Sequence, residues 1–144
     1  MTVFERTLDY VLMTPKTKRQ VEMYLRRKKV DAEEAASVID RLVDLGYIND
    51  AAYAELFVEG KSLKLGKNAI RNKLYQRGVR SELVEKEVSK IEDQTELCRM
   101  VAEKYMRNKI FDAKVSQKLY SHLVYKGFEY ETVQEVVSGY KDRD

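Results

Sequence analysis

Apolar positions along the chain recur at two distances, and the longer one governs the rest. Val21, Leu25 and Val30 are matched 49 residues on by Ile70, Leu74 and Val79, and after another 49 by Leu119, Leu123 and Phe128, with no insertion or deletion. Ile39, Val88 and Val137 follow the same spacing, as do Leu42, Ile91 and Tyr140, the polar set Glu33, Glu82 and Glu131 and, more loosely, Leu8, Phe57 and Met106. A fixed period of this length is the mark of a repeat protein. It predicts three units: residues 1–48, 49–92 and 93–144.

Within each unit the apolar residues fall three and four apart, as in Val21 and Leu25, Tyr53 and Phe57, or Ala35, Val38, Ile39 and Leu42. No stretch alternates long enough for a strand, so the spacing predicts helices throughout. The expected spans are 3–13, 16–28 and 32–45, then 50–64, 67–77 and 82–91, then 94–109, 113–126 and 130–140. Asp31 with Glu34 and Asp93 with Glu96 read as N-caps with a reciprocal acid, and Asn49, Ser81 and Asp112 as simple caps. Gly46, Gly78 and Gly127 stand where a helix end takes a left-handed residue; Lys29 holds the equivalent place in the first unit. Pro15 lies in a turn. One such unit buries too little surface to be stable alone, and no Gly/Ser-rich segment separates the three. The fold class expected is all-α, a tandem array of three three-helix repeats, elongated or curved and monomeric.

Composition removes most chemistry. The apolar share of 44% is ordinary, but the charged share of 35% exceeds the usual ~25%. The longest apolar runs are four residues, Tyr10 to Met13 and Ala51 to Ala54, against the ~20 of a membrane helix. This predicts a cytoplasmic chain with no membrane partner. With one histidine and one cysteine, the chain can assemble neither a disulfide nor a Cys/His zinc site. Its six glycines form no phosphate loop. A non-enzyme without metal or cofactor is expected.

The net charge of +3 conceals a segregation. Residues 16–29 hold seven Lys or Arg against Glu22, whereas residues 65–78 hold four bases and residues 114–127 three, with no acid in either window. The third helix of each unit is acidic: residues 31–45 carry five acids and Arg41, 80–94 five acids and three bases, and 129–143 four acids and two bases. An acidic third helix disfavours major-groove readout by a helix-turn-helix. Basic second helices aligned along one side suit phosphates or an acidic protein groove. At 100° per residue, Val21 and Leu25 point inward and Met23 outward, bordered by Arg19, Arg26 and Arg27. The equivalent outward sites are Asn68, Asn72, Tyr75 and Gln76, then Gln117, Ser121, Val124 and Tyr125. The candidate contact residues are thus Arg19, Met23, Arg26, Arg27 and Lys28 in the first unit, and Lys61, Lys64, Lys67, Arg71, Lys73, Tyr75 and Arg77 in the second.

Other residues have plainer readings. Tyr53, Tyr105 and Tyr120 sit at helical apolar spacing and read as core with the hydroxyl at the rim. Cys98 reads as a small buried hydrophobe, and His122, lacking a second ligand, as an exposed or interface residue. Asp31, Glu33 and Glu34 complement a helix dipole.

The segment LGYINDAAYAELFVEGKSLKLGKNAIRNKLYQRGV, residues 45–79, resembles the signature of the bacterial RecX regulatory proteins. The similarity is carried by Gly46, Tyr47, Ile48, Asp50, Tyr53, Ala54, Phe57, Lys61, Gly66, Ile70, Leu74, Gly78 and Val79. Thr14, Pro15, Lys16, Thr17, Val21, Leu25, Arg26, Arg27 and Lys28 fit the turn and basic helix of the first unit. The third matches mainly at Leu119, Leu123, Gly127 and Phe128. Glu59 and Gly60 depart from the pattern and weaken the basic cluster of Lys61, Lys64 and Lys67. The resemblance implies a regulator, usually negative, that lodges in the groove of the RecA filament on single-stranded DNA and restrains its ATPase, strand-exchange and co-protease activities. Such proteins act in DNA repair, recombination and the SOS response, and have no active site. The competing readings are a helical-repeat protein acting directly on single-stranded or structured DNA, and a helical scaffold with an unrelated partner.

Overall fold

A computed structural model describes residues 1–142, and over these the chain is helical without a strand. The first repeat holds α1 (Val3–Met13), α2 (Lys18–Arg27) and α3 (Ala32–Asp44); the second holds α4 (Asp50–Lys61), α5 (Lys67–Gln76) and α6 (Ser81–Val88); the third holds α7 (Thr95–Met106), α8 (Ala113–Tyr125) and α9 (Tyr130–Lys141). The nine elements match those the periodicity predicts. Val21, Ile70 and Leu119 are fully buried, as are Leu74 and Leu123, and Leu25 is nearly so. Ile39, Val88 and Val137 are buried too, while Glu33, Glu82 and Glu131 are exposed.

By compactness the chain divides into two units, and the boundary runs through the middle repeat. One comprises Met1–Phe57 with Leu74–Val84; the other comprises Val58–Lys73 and the chain from Glu85 onward. In the first, Val11, Val21, Leu25, Val38, Ile39, Leu42 and Ile48 form the core, with Phe4, Leu8 and Tyr24 against it. In the second the core is Cys98, Ala102, Met106, Leu119, Leu123, Phe128, Val133, Val136, Val137 and Tyr140.

Each unit joins neighbouring repeats by one device: the turn after a second helix seats on the start of the preceding repeat's second helix. In the first unit the Thr17 hydroxyl donates to the Arg77 carbonyl at 2.6 Å, and the Arg19 side chain lies over Gly78. In the second, the Gly66 and Asn68 amides donate to the carbonyls of Lys126 and Gly127, both at 2.9 Å. Helix N-termini leave amides without partners, and in the second unit the next repeat supplies carbonyls for two of them. The approach is so close that a Cβ at Gly127 would collide with Ala69, and one at Gly66 with the Gly127 backbone.

Caps and helix ends differ in places from the sequence expectations. Asn49 and Asp112 do cap, accepting from Ala52 and Val115. Asp31 caps through Glu33 N and has no bond to Glu34. Asp93 does not cap α7: its carboxylate turns back on the amide and hydroxyl of Thr95, and Gln94 takes the cap position. Ser81 is already inside α6, whose first carbonyl comes from Arg80. Three helices end before their expected ends at 64, 91 and 109. α4 gives way to a turn in which Lys64 N donates to Lys61 O; after Val88, Lys90 and Ile91 bond only three residues back; and after Met106 the left-handed Asn108, φ 62°, turns the chain away.

Candidate nucleic-acid and protein interface

The surface begins at the start of α2. Thr17 forms a reciprocal capping box, accepting from Gln20 N at 3.2 Å while its own amide donates to Gln20 Oε1 at 2.8 Å. The Lys18 amide donates to Asp50 Oδ1. With its first turn so fixed, α2 turns Val21 and Leu25 into the core and leaves Met23 49% exposed, with Arg26, Arg27 and Lys28 in solvent. Neither Arg26 nor Arg27 makes an ion pair among the described residues, and Lys28 lies 5.8 Å from the Tyr24 ring. Arg19 is also exposed, but its stem packs on Gly78, so it helps join repeats as well as carrying charge.

The second repeat places its bases differently. Lys67 is 3.6 Å from Glu129. The Arg71 Nε donates to both carboxylate oxygens of Glu85, at 2.9 and 3.2 Å, and its Nη1 to Asn68 Oδ1 at 2.7 Å. Arg77 donates to the Tyr53 hydroxyl at 2.6 Å with its guanidinium over the Phe57 ring. These three hold the fold together, leaving Lys61, Lys64, Lys73 and the partly exposed Tyr75 at the surface. The buried Gln94 belongs to the same framework, accepting from Lys67 N and donating to Leu65 O.

In the third repeat, α8 forms a wall of an open cleft lined by Tyr105, Lys114, Lys118, His122 and Tyr125. His122 is half-buried and stacks on Tyr105, ring centroids 4.6 Å apart; Lys109 lies over the other ring at 4.3 Å. Burial, aided by Lys126 and Lys109, pushes the His122 imidazole below its ordinary value and favours the neutral ring. Lys114 and Lys118 are not among the contact residues that the sequence predicts, although the acid-free window around them signals their charge. Tyr53, Tyr105 and Tyr120 are half-buried at the core edge, and Cys98 is fully buried, its thiol pushed up to about 11 by burial. No group of three His, Cys, Asp or Glu residues among the described ones is placed to hold a metal, and no helix is long and apolar enough to cross a membrane.

Among the described residues, nine helices in serial threes, buried at a 49-residue period and basic on each second helix, define a three-helix-repeat protein. Comparison with known proteins identifies which. Residues 49–86 match the second three-helix domain of RecX and residues 92–137 the third, which together take in more than half of the chain. Regulatory protein RecX of Clostridium botulinum (strain Alaska E43 / Type E3) is 35% identical over 128 residues, 85% of this chain and 60% of that protein. Its namesake in Streptococcus gordonii is 33% identical over 128 residues, 49% of its length. The crystal structure of RecX from Lactobacillus salivarius superposes with a TM-score of 0.81 at 25% identity, covering 96% of this chain and 94% of that one. The chain belongs to the RecX family, and it spans about half to two thirds of the length of the curated relatives it matches.

Proposed function

We propose that the chain is a regulator that binds the RecA filament on single-stranded DNA and lowers its ATPase, strand-exchange and co-protease activities. Family membership supports the regulatory role. The observation that carries the binding reading is the outer face of α2: Arg26 and Arg27, without ion pairs among the described residues, lie one turn from an exposed methionine on a helix held by a capping box at one end and by Val21 and Leu25 beneath. Exposed cations offset by an apolar, adaptable side chain suit a protein groove with acidic walls. Arg19, Lys28, Lys61, Lys64, Lys73 and Tyr75 would extend that surface, whereas Lys67, Arg71 and Arg77 act through packing.

Co-sedimentation with RecA filaments at near-physiological salt tests the reading. Arg26→Glu/Arg27→Glu should stay helical by circular dichroism and bind at least about tenfold more weakly, a loss of ~1.4 kcal/mol. Exposed pairs contribute at most ~1 kcal/mol each, so that loss requires several contacts acting together. Unchanged co-sedimentation of the folded variant would remove α2 from the interface.

A further inference from the structure

The α8 cleft has a composition that the α2 face lacks. Lys114, Lys118, His122 and Tyr125 lie at steps of four, four and three residues, so they form one stripe along the helix. Lys114 and Lys118 are exposed like charges one turn apart, an arrangement that disfavours a helix unless something negative sits on it. Nothing in the same unit does: among the described residues neither lysine has an ion pair, and both acids flanking the acid-free stretch are engaged elsewhere. The Asp112 carboxylate caps the Val115 amide, and Glu129 faces Lys67. The chain does neutralise its cations where it needs to, as with Arg71 on Glu85, which sets this stripe apart.

The rest of the cleft is aromatic. Tyr125 is 81% exposed, and the half-buried His122, stacked on Tyr105, lines the cleft beside the lysines. An acidic peptide would use the cations but not the rings. An unpaired strand of nucleic acid uses both, with phosphates on lysines and base faces on aromatic side chains.

We propose that this cleft is a binding site for single-stranded nucleic acid, in which Lys114 and Lys118 hold successive phosphates and Tyr125 stacks on a base. At about 1.5 Å of rise per residue the two lysines are one turn, about 6 Å, apart along the axis, so one extended strand lying along α8 engages both and then reaches Tyr125. The site needs no other protein and does not depend on the reading of α2.

Fluorescence anisotropy of a labelled thymidine oligonucleotide titrated with the full chain tests this. The intact protein should bind, with affinity falling as salt rises. Lys114→Glu/Lys118→Glu should weaken binding at least tenfold and flatten the log-log salt slope by about 1.4, two phosphates at ~0.7 each. Tyr125→Ala should weaken binding severalfold and leave the slope unchanged, because stacking releases no counterions. Lys86→Glu/Lys104→Glu, the same charge change at exposed positions outside both surfaces, should stay within twofold of the parent, which separates this site from a general effect of charge. No binding by the intact protein, or unchanged affinity in the folded lysine variant, overturns the proposal. Inorganic polyphosphate that competes as well as the oligonucleotide, together with a silent Tyr125→Ala, would show a plain anion patch and overturn it equally.

Discussion

Lys29 holds φ 58° at the position where the other two repeats have Gly78, φ 82°, and Gly127, φ 94°. A residue with a Cβ is strained there, and at Gly127 the Cβ would also run into Ala69. Gly127→Ala should therefore cost about 2–4 kcal/mol, combining the left-handed penalty of about 1–3 kcal/mol with the displaced turn. Lys29→Gly relieves the strain but loosens the unfolded chain, and should raise stability by about 0.5–1 kcal/mol. Urea unfolding of both variants checks the pair; equal effects would mean that the two turns are held alike. Cys98 offers a separate test at this scale. Fully buried, with a thiol raised to about 11, it should resist Ellman's reagent at about pH 8 in the native chain and react promptly in denaturant. Rapid native labelling would show that α7 opens.

The second helix of each repeat is the element on which the architecture turns. Thr17 is buried with its hydroxyl accepting from Gln20 and donating to Arg77 O, so Thr17→Val keeps the shape and removes both bonds. The expected loss is about 1–3 kcal/mol by chemical denaturation, the cost of stranding buried polar groups. A loss below about 0.5 kcal/mol would mean that the cap and the seam to the next repeat are not coupled. The helices were legible because their period and burial are set by nearby residues: Val21 and Leu25, or Leu119 and Leu123, declare their face within one turn. Partnerships over longer separations were not. Counting charge in a window marks Lys67, Arg71 and Arg77 as surface cations, but their partners Glu129, Glu85 and Tyr53 lie 14 to 62 residues away and come together only in the fold. The same limit hid Gln94, whose side chain reaches Lys67 and Leu65, whereas Asp93 fails as a cap for a local reason, its carboxylate bonding Thr95 two residues on.

Over the whole molecule, the near-neutral total of +3 divides into cations bound within the chain and cations left exposed. The first and third repeats keep theirs exposed on α2 and α8, and the second spends most of α5 on internal pairs. Each surface therefore carries its own expectation, α2 toward an acidic protein groove and α8 toward an unpaired strand. Regulation of RecA through α2 is tested most directly by the single-strand-dependent RecA ATPase measured against increasing amounts of this protein. The rate should fall with a saturable dose dependence, and the curve should be displaced at least tenfold to higher concentration for Arg26→Glu/Arg27→Glu but much less for Tyr125→Ala. An ATPase rate unaffected by excess protein, or lowered equally by the parent and the folded α2 variant, would contradict it.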